Sequence, residues 1–144
     1  MDQQNYGNHR KLDPLYHYGL SLLTMLVLIG SGISLFGALS GGEDAGASWL
    51  LLGISAALLL LFIKVRGYAL KAQDRAIRAE EQLRHYILTG KPIDPKLTLK
   101  QIIALRFAGD EEYPDLCRKA VEESMKPDDI KKAIRHWRAD YDRL

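Results

Sequence analysis

The chain has 144 residues, a formal net charge of +2, one cysteine and 47% hydrophobic residues. A single cysteine excludes an internal disulfide and a cysteine-based zinc site, and near-neutrality excludes a histone-like polycation. The averages hide a segregation that argues against a soluble domain: residues 15–42 and 45–63 contain no Asp, Glu, Lys or Arg, whereas residues 64–144 hold 18 of the 20 Lys and Arg and 14 of the 18 acids.

The first element follows a short segment, residues 1–12, and the sequence predicts a transmembrane helix over 13–39. A bilayer core of roughly 30 Å needs about 20 apolar residues in a helix rising ~1.5 Å per residue. Asp13 can cap free backbone N–H groups and Pro14 suits the first helical position. Tyr16 and Tyr18 then fall at headgroup level. A short turn over 40–44 leads to a second span over 45–66, with Trp49 marking one interface and Tyr68 the other. So short a connection makes the spans antiparallel neighbours, a membrane hairpin. The turn holds no Lys or Arg, while Arg10 and Lys11 precede the first span and Lys64, Arg66, Lys71, Arg75 and Arg78 follow the second. The positive-inside rule then places both termini in the cytoplasm. Ala45-Gly46-Ala47 resembles a signal-peptide cleavage site, but the apolar stretch before it far exceeds the ~7–15 residues of a signal core, and Asp2 and Asp13 lie ahead of it.

Small residues recur at four-residue spacing: Gly30, Ser34 and Ala38 in the first span, Gly53 and Ala57 in the second. Such faces permit close helix approach. They are expected to pack the hairpin on itself, with an oligomer or a larger membrane partner as the alternative. No charge lies mid-membrane, which speaks against an ion path or a substrate site there.

From residue 67 the helix is expected to continue as a cytoplasmic stalk to 89, ended by Thr89-Gly90 and Pro92. Asp74 with Arg78 and Glu80 with Arg84 stand four apart in the favourable order, each pair worth about 0.2–0.5 kcal/mol. Residues 65, 69, 72, 76, 79, 83 and 86 follow the alternating four-three spacing of a coiled-coil seam, although an alanine-heavy one. The preferred expectation is that the stalk packs against the chain's own C-terminal helices, with a homodimeric coiled coil as the alternative.

A small helical domain is expected over 97–144. Thr98 and Gln101 form a capping box ahead of Ile102, Ile103 and Phe107. Asp110 can cap a second helix with the stripe Tyr113, Leu116, Cys117, Ala120 and Val121. Pro127 opens a third, with Asp128 and Asp129 in its first turn and the stripe Ile130, Ala133, Ile134, Trp137 and Tyr141. Three short helices make a marginal domain, so the stalk, the membrane surface or a partner is expected to complete the core.

Candidate chemistry is sparse. Cys117 sits within an apolar stripe and reads as a buried structural thiol. His9 and His17 flank Asp13, but Pro14 interrupts any shared face, and no metal site is expected. His85 and His136 lack an acid or nucleophile at motif spacing. No nucleotide-binding loop, nucleophile elbow, zinc-protease motif or dinucleotide fingerprint occurs, so no cofactor is expected and the chain reads as non-enzymatic. The last helix would carry Lys131, Lys132, Arg135, Arg138 and Arg143 opposite its stripe. Together with Lys64 and Arg66, its residues Lys131, Lys132 and Arg135 are the candidate contacts to anionic membrane lipid, each able to gain about 1 kcal/mol. A partner protein ranks second for this face. Nucleic acid ranks third, because Asp140 and Asp142 interrupt the basic run.

Several strings in combination resemble a known family. They are Asn5-Tyr6-Gly7-Asn8-His9 with Pro14-Leu15-Tyr16-His17, Ala69-Leu70-Lys71-Ala72-Gln73-Asp74-Arg75, residues 97–108, and residues 130–141. The chain resembles small bacterial integral membrane proteins of unknown function over nearly its whole length. The resemblance implies two spans and a bacterial inner membrane, and supplies no activity and no catalytic residue.

The sequence therefore reads as an all-α protein: a two-helix transmembrane hairpin, the second helix extended into a stalk, and a small three-helix cytoplasmic domain. The expected role is that of a membrane-anchored interaction or accessory protein, with a protein partner or self-association. Arg106, Asp110, Glu111, Trp137 and Arg138 are the candidate docking surface. The alternative is a membrane-tethered nucleic-acid binder using the basic last helix.

Overall fold

The structure is a computed structural model that describes residues 5–7 and 13–140. It is all-helical and divides into two compact units, Leu12–Ala69 and a second made of Met1–Lys11 and Leu70–Leu144.

The first unit is the hairpin. Helix α1 runs Leu15–Gly41, its first six residues, Leu15–Leu20, wound as a π-helix. Asp13 caps it as expected, Oδ1 accepting the N–H groups of Leu15 and Tyr16 at 2.9 and 3.2 Å. Gly42 ends it in the left-handed conformation, φ +69°, with its own N–H and that of Glu43 both turned back to the Ala38 carbonyl. Asp44 Oδ1 then accepts the Gly46 N–H at 2.9 Å, and helix α2 runs Gly46–Thr89. Both helices are long and apolar enough to cross a membrane. Phe36 is 73% exposed and Leu50 71% exposed, apolar surface that water would penalise and lipid would not.

The two helices meet along a seam that only partly matches the expected one. Within the hairpin the buried and half-buried positions include Ser21, Thr24, Leu28, Ser31, Leu35 and Ala38 on α1, and Ala45 just before α2 with Ser48, Leu52, Ser55, Leu59 and Phe62 on it. Both sets step by threes and fours, the repeat of a coiled-coil interface. Ser31 and Ser55 are buried and bonded Oγ to Oγ at 2.9 Å, and Ser34 meets Ser48 at 3.0 Å. Of the expected small-residue faces, Ser34 and Ala38 therefore lie at or beside the contact. Gly30, Gly53 and Ala57 point outward, and a Cβ added at either glycine would meet nothing within 4 Å. The reason is that hydroxyl-bearing side chains satisfy both close packing and hydrogen bonding, whereas glycine satisfies only the first.

In the second unit α2 continues as the stalk, and Gly90, φ +69°, ends it with its N–H on the Tyr86 carbonyl at 2.8 Å. Helices α3 (Leu99–Leu105), α4 (Tyr113–Glu122) and α5 (Pro127–Ala133) follow. The capping box forms: Gln101 N–H donates to Thr98 Oγ1 at 3.3 Å and Thr98 N–H to Gln101 Oε1 at 2.8 Å. Ile102, Leu105, Phe107, Tyr113, Leu116, Cys117, Ala120, Ile130 and Ile134 form the core. Stalk residue Ile77 is buried as well, on the helix face that carries Glu81 and Arg84.

Two expectations are corrected here. Asp110 does not cap α4: its N-cap is Glu112, with no side-chain bond, and Asp110 is drawn to Arg84 instead. The last helix ends at Ala133, and residues 134–140 form an extended strap. Arg138 N–H donates to the Phe107 carbonyl at 2.7 Å and Gly109 N–H to the His136 carbonyl at 2.8 Å, with a single antiparallel bridge between Ala108 and Trp137. Arg135 and Arg138 thus leave the helix that was to carry a continuous basic face. Tyr141 and Arg143, like His9, Arg10 and Lys11, lie outside the described residues.

Candidate functional site: a buried charge cluster

The polar groups of the second unit converge on Glu81 and Arg84. Both lie on the stalk face that carries Ile77, so forming the core draws them inward, and Glu81 is only 4% exposed. Buried charge is tolerated only when paired and hydrogen-bonded. Arg84 meets that condition with every edge of its guanidinium: Glu81 Oε2 at 3.1 Å, Asp110 Oδ1 at 2.6 Å and the Ala108 carbonyl at 2.6 Å. Its plane stacks over the Tyr113 ring, 4.2 Å from the centroid. The second Glu81 oxygen faces Arg138 at 3.8 Å, and the Tyr113 hydroxyl donates to the Glu81 carbonyl at 3.2 Å. Arg84 pairs with Glu81 and Asp110 rather than with Glu80, which is exposed.

This cluster absorbs most of the expected docking surface. Asp110 and Arg138 are exposed on one side but spent on Arg84 and Glu81. Arg106 is buried, its Nε 3.0 Å from Asp140 Oδ2 and its guanidinium over the Phe107 ring. Trp137 packs on the core with its ring 5.2 Å from Phe107. Arg106 and Trp137 are therefore corrected from surface to core positions. The cause is the strap, which folds back over the turn after α3. Glu111 remains exposed, on the rim of an open cleft of about 590 Å³ shared with Asp115, Arg118, Lys119 and Arg135.

The candidate lipid contacts are scattered. Lys64 is exposed on α2, and Arg66 lies over the Tyr16 ring, 5.5 Å from its centroid. Lys131 stands 3.8 Å from Asp128, Lys132 lies over the Tyr6 ring, and Arg135 is exposed on the strap.

Cys117 is buried as expected, and burial pushes its thiol up to about 12 despite the opposing hydrogen bond with Tyr113. Burial raises the Tyr113 phenol still further, helped by the nearby Cys117 and Glu81. Both groups hold their protons at neutral pH, and a protonated, enclosed thiol is a poor nucleophile. The cluster can anchor the stalk to the domain. Among the described residues, no group of three or more His, Cys, Asp or Glu is placed to hold a metal.

Glu81 and Glu112 do not stand out in the sequence, and Arg84 is expected there to pair with Glu80. A signal is present for Glu81 and for the true partners of Arg84: Ile77, Glu81 and Arg84 share one helical face, so whatever covers Ile77 must also accommodate their charges.

Fold and cluster together define a small all-α protein with two membrane-length helices and a helical domain held to its stalk by buried charge. The chain belongs to the family of unknown function DUF6526, whose model matches residues 1–144. Neither a curated protein nor a solved structure matches it.

Proposed function

We propose that the chain is a non-enzymatic accessory protein of the bacterial inner membrane, spanning it twice with both termini in the cytoplasm and presenting its helical domain to a membrane or cytoplasmic protein. The observation that carries this reading is the contrast between the units. The hairpin exposes large apolar side chains all around, as a lipid-facing element must, while the second unit buries a core of its own and pairs its buried charges internally. The positive-inside rule supports the orientation, since the turn after α1 carries Glu43 and Asp44 and no base. The one thiol, Cys117, and its neighbour Tyr113 are packed and hold their protons, which favours presentation over thiol chemistry at this site. Glu111 and its neighbours on the open cleft, rather than Arg106 and Trp137, offer the accessible charged surface.

The test is in-cell cross-linking of the tagged chain, extraction in mild detergent and mass spectrometry of what remains attached. The reading expects retention in the membrane through an alkaline wash, and a stoichiometric partner that is lost from a Glu111→Lys, Asp115→Lys variant. Release by the wash, or an unchanged set of attached proteins in the variant, contradicts it.

A further inference from the structure

The stalk has a second face, opposite the one that packs on Ile77, Glu81 and Arg84, and within the described residues nothing covers it. Val65, Ala72, Ala76, Ala79, Leu83 and Tyr86 are all exposed; with the half-buried Ala69 they form one stripe at alternating four-three spacing. Its larger members are far from buried, Leu83 at 61%, Tyr86 at 58% and the flanking Ile87 at 71%. Isolated exposed apolar residues need no explanation, but a continuous heptad seam does.

We infer that this face is the interface of a parallel two-stranded coiled coil formed by two copies of the chain. In such a seam Ala69, Ala76 and Leu83 take one core position of the heptad, and Val65, Ala72, Ala79 and Tyr86 the other. Arg75 and Glu80 then flank the core at the two positions that meet across a parallel pair, five residues apart in sequence. Each copy's Arg75 faces the other's Glu80, twice per dimer. An antiparallel pairing centred on the seam would instead bring the two Arg75 side chains together. Arg75 and Glu80 are exposed and make no ion pair among the described residues, so both are available for this use. The charge pattern selects the parallel arrangement by itself. The alanines allow close approach of the helices, and Leu83 with Tyr86 and Ile87 supplies most of the apolar area.

The test is disulfide mapping of the full chain in its native membranes. Single cysteines at Ala72, Ala76, Ala79 and Leu83 are compared with cysteines at Lys71 and Arg78, which are exposed but off the seam. The parent chain, whose Cys117 is buried, sets the background. A parallel dimer predicts several-fold more same-position cross-link at the seam than off it. It also predicts that Arg75→Glu lowers the yield of the Ala76→Cys cross-link and that adding Glu80→Arg restores it. Equal yields at seam and off-seam positions, or no seam cross-link in membrane-embedded protein, would overturn the inference. Loss of the protein from the membrane fraction would count against the membrane reading alone, because the seam cross-links can form without it.

Discussion

The Glu112 carboxylate accepts the backbone N–H of His136 at 2.9 Å and, through both oxygens, that of Arg135 at 3.1 and 3.2 Å. A side chain just before α4 thereby sets the path of the chain after α5. The N–H groups it takes would otherwise serve a longer helix. These bonds are exposed, so Glu112→Ala is expected to destabilise the cytoplasmic domain by only about 0.5–1.5 kcal/mol, the usual net worth of a hydrogen bond that water can replace. Thermal unfolding followed by tryptophan fluorescence checks this, because Trp137 sits on the strap against Phe107. An unchanged midpoint would mean that water serves these donors equally well.

Gly109 is the strap's other constraint. A Cβ there would lie 3.2 Å from the His136 carbonyl oxygen and 3.3 Å from its Cβ. Gly109→Ala should push the strap outward at a cost of about 1–3 kcal/mol, as overpacking generally does. The same fluorescence measurement reads it, with greater solvent exposure of Trp137 as the expected signature.

Ser124 is the one described non-glycine residue with positive φ, at 49°. It ends α4, with the Met125 N–H on the Ala120 carbonyl at 3.0 Å. Ser124→Gly should relieve the left-handed strain and stabilise the domain by about 1 kcal/mol. A lowered midpoint for this variant would show that the serine side chain contributes more than its backbone costs.

Much of this architecture is legible in the sequence because it follows from periodicity and punctuation. The two long apolar helices, the Asp13 cap, the Gly90 stop, the Thr98–Gln101 box and the stripe from Tyr113 to Ala120 all depend on residues close together in the chain. What is illegible is long-range competition for polar groups. The length of α5 is decided by Glu112, more than twenty residues upstream of the strap. Arg84 has Glu80 within reach and turns instead to Asp110 and the Ala108 carbonyl, which only the folded domain brings near. Within the hairpin, hydroxyl pairs such as Ser31 and Ser55 make the contact that spacing alone assigns to Gly30 and Gly53.

That pair gives a prediction for the hairpin. Interhelical hydrogen bonds of this type average about 0.6 kcal/mol, up to roughly 1.7. A double-mutant cycle on Ser31→Ala and Ser55→Ala should return a coupling in that range, measured by detergent-to-denaturing-detergent titration. Ser31→Leu should disrupt the hairpin, while Gly53→Leu, which meets open space, should leave it intact. Equal damage from both leucines would contradict the seam described here.

Alkaline pH should weaken the cytoplasmic domain. Cys117 titrates near 12 when folded, above its ordinary value of about 8.5 in an unfolded chain. Between those values the folded state keeps a proton that the unfolded state has lost. Stability is therefore fully present below pH ~8.5 and falls above it, by at most about 1.4 kcal/mol per pH unit for this proton. Cys117→Ala should flatten the stability profile between roughly pH 8.5 and 10, before Tyr113 contributes. An unchanged slope in the variant would place the thiol in contact with water.

The central claim is a hairpin that crosses the membrane with the helical domain inside, and site-directed labelling tests it most directly. Ser40, at the end of α1, and Lys100, on α3, are both exposed positions for a cysteine, while the native Cys117 is buried. With a membrane-impermeant maleimide and an intact inner membrane, Ser40→Cys should label at once and Lys100→Cys only after the membrane is broken. Labelling of Lys100→Cys with the membrane intact, or equal labelling at both positions, would contradict the account.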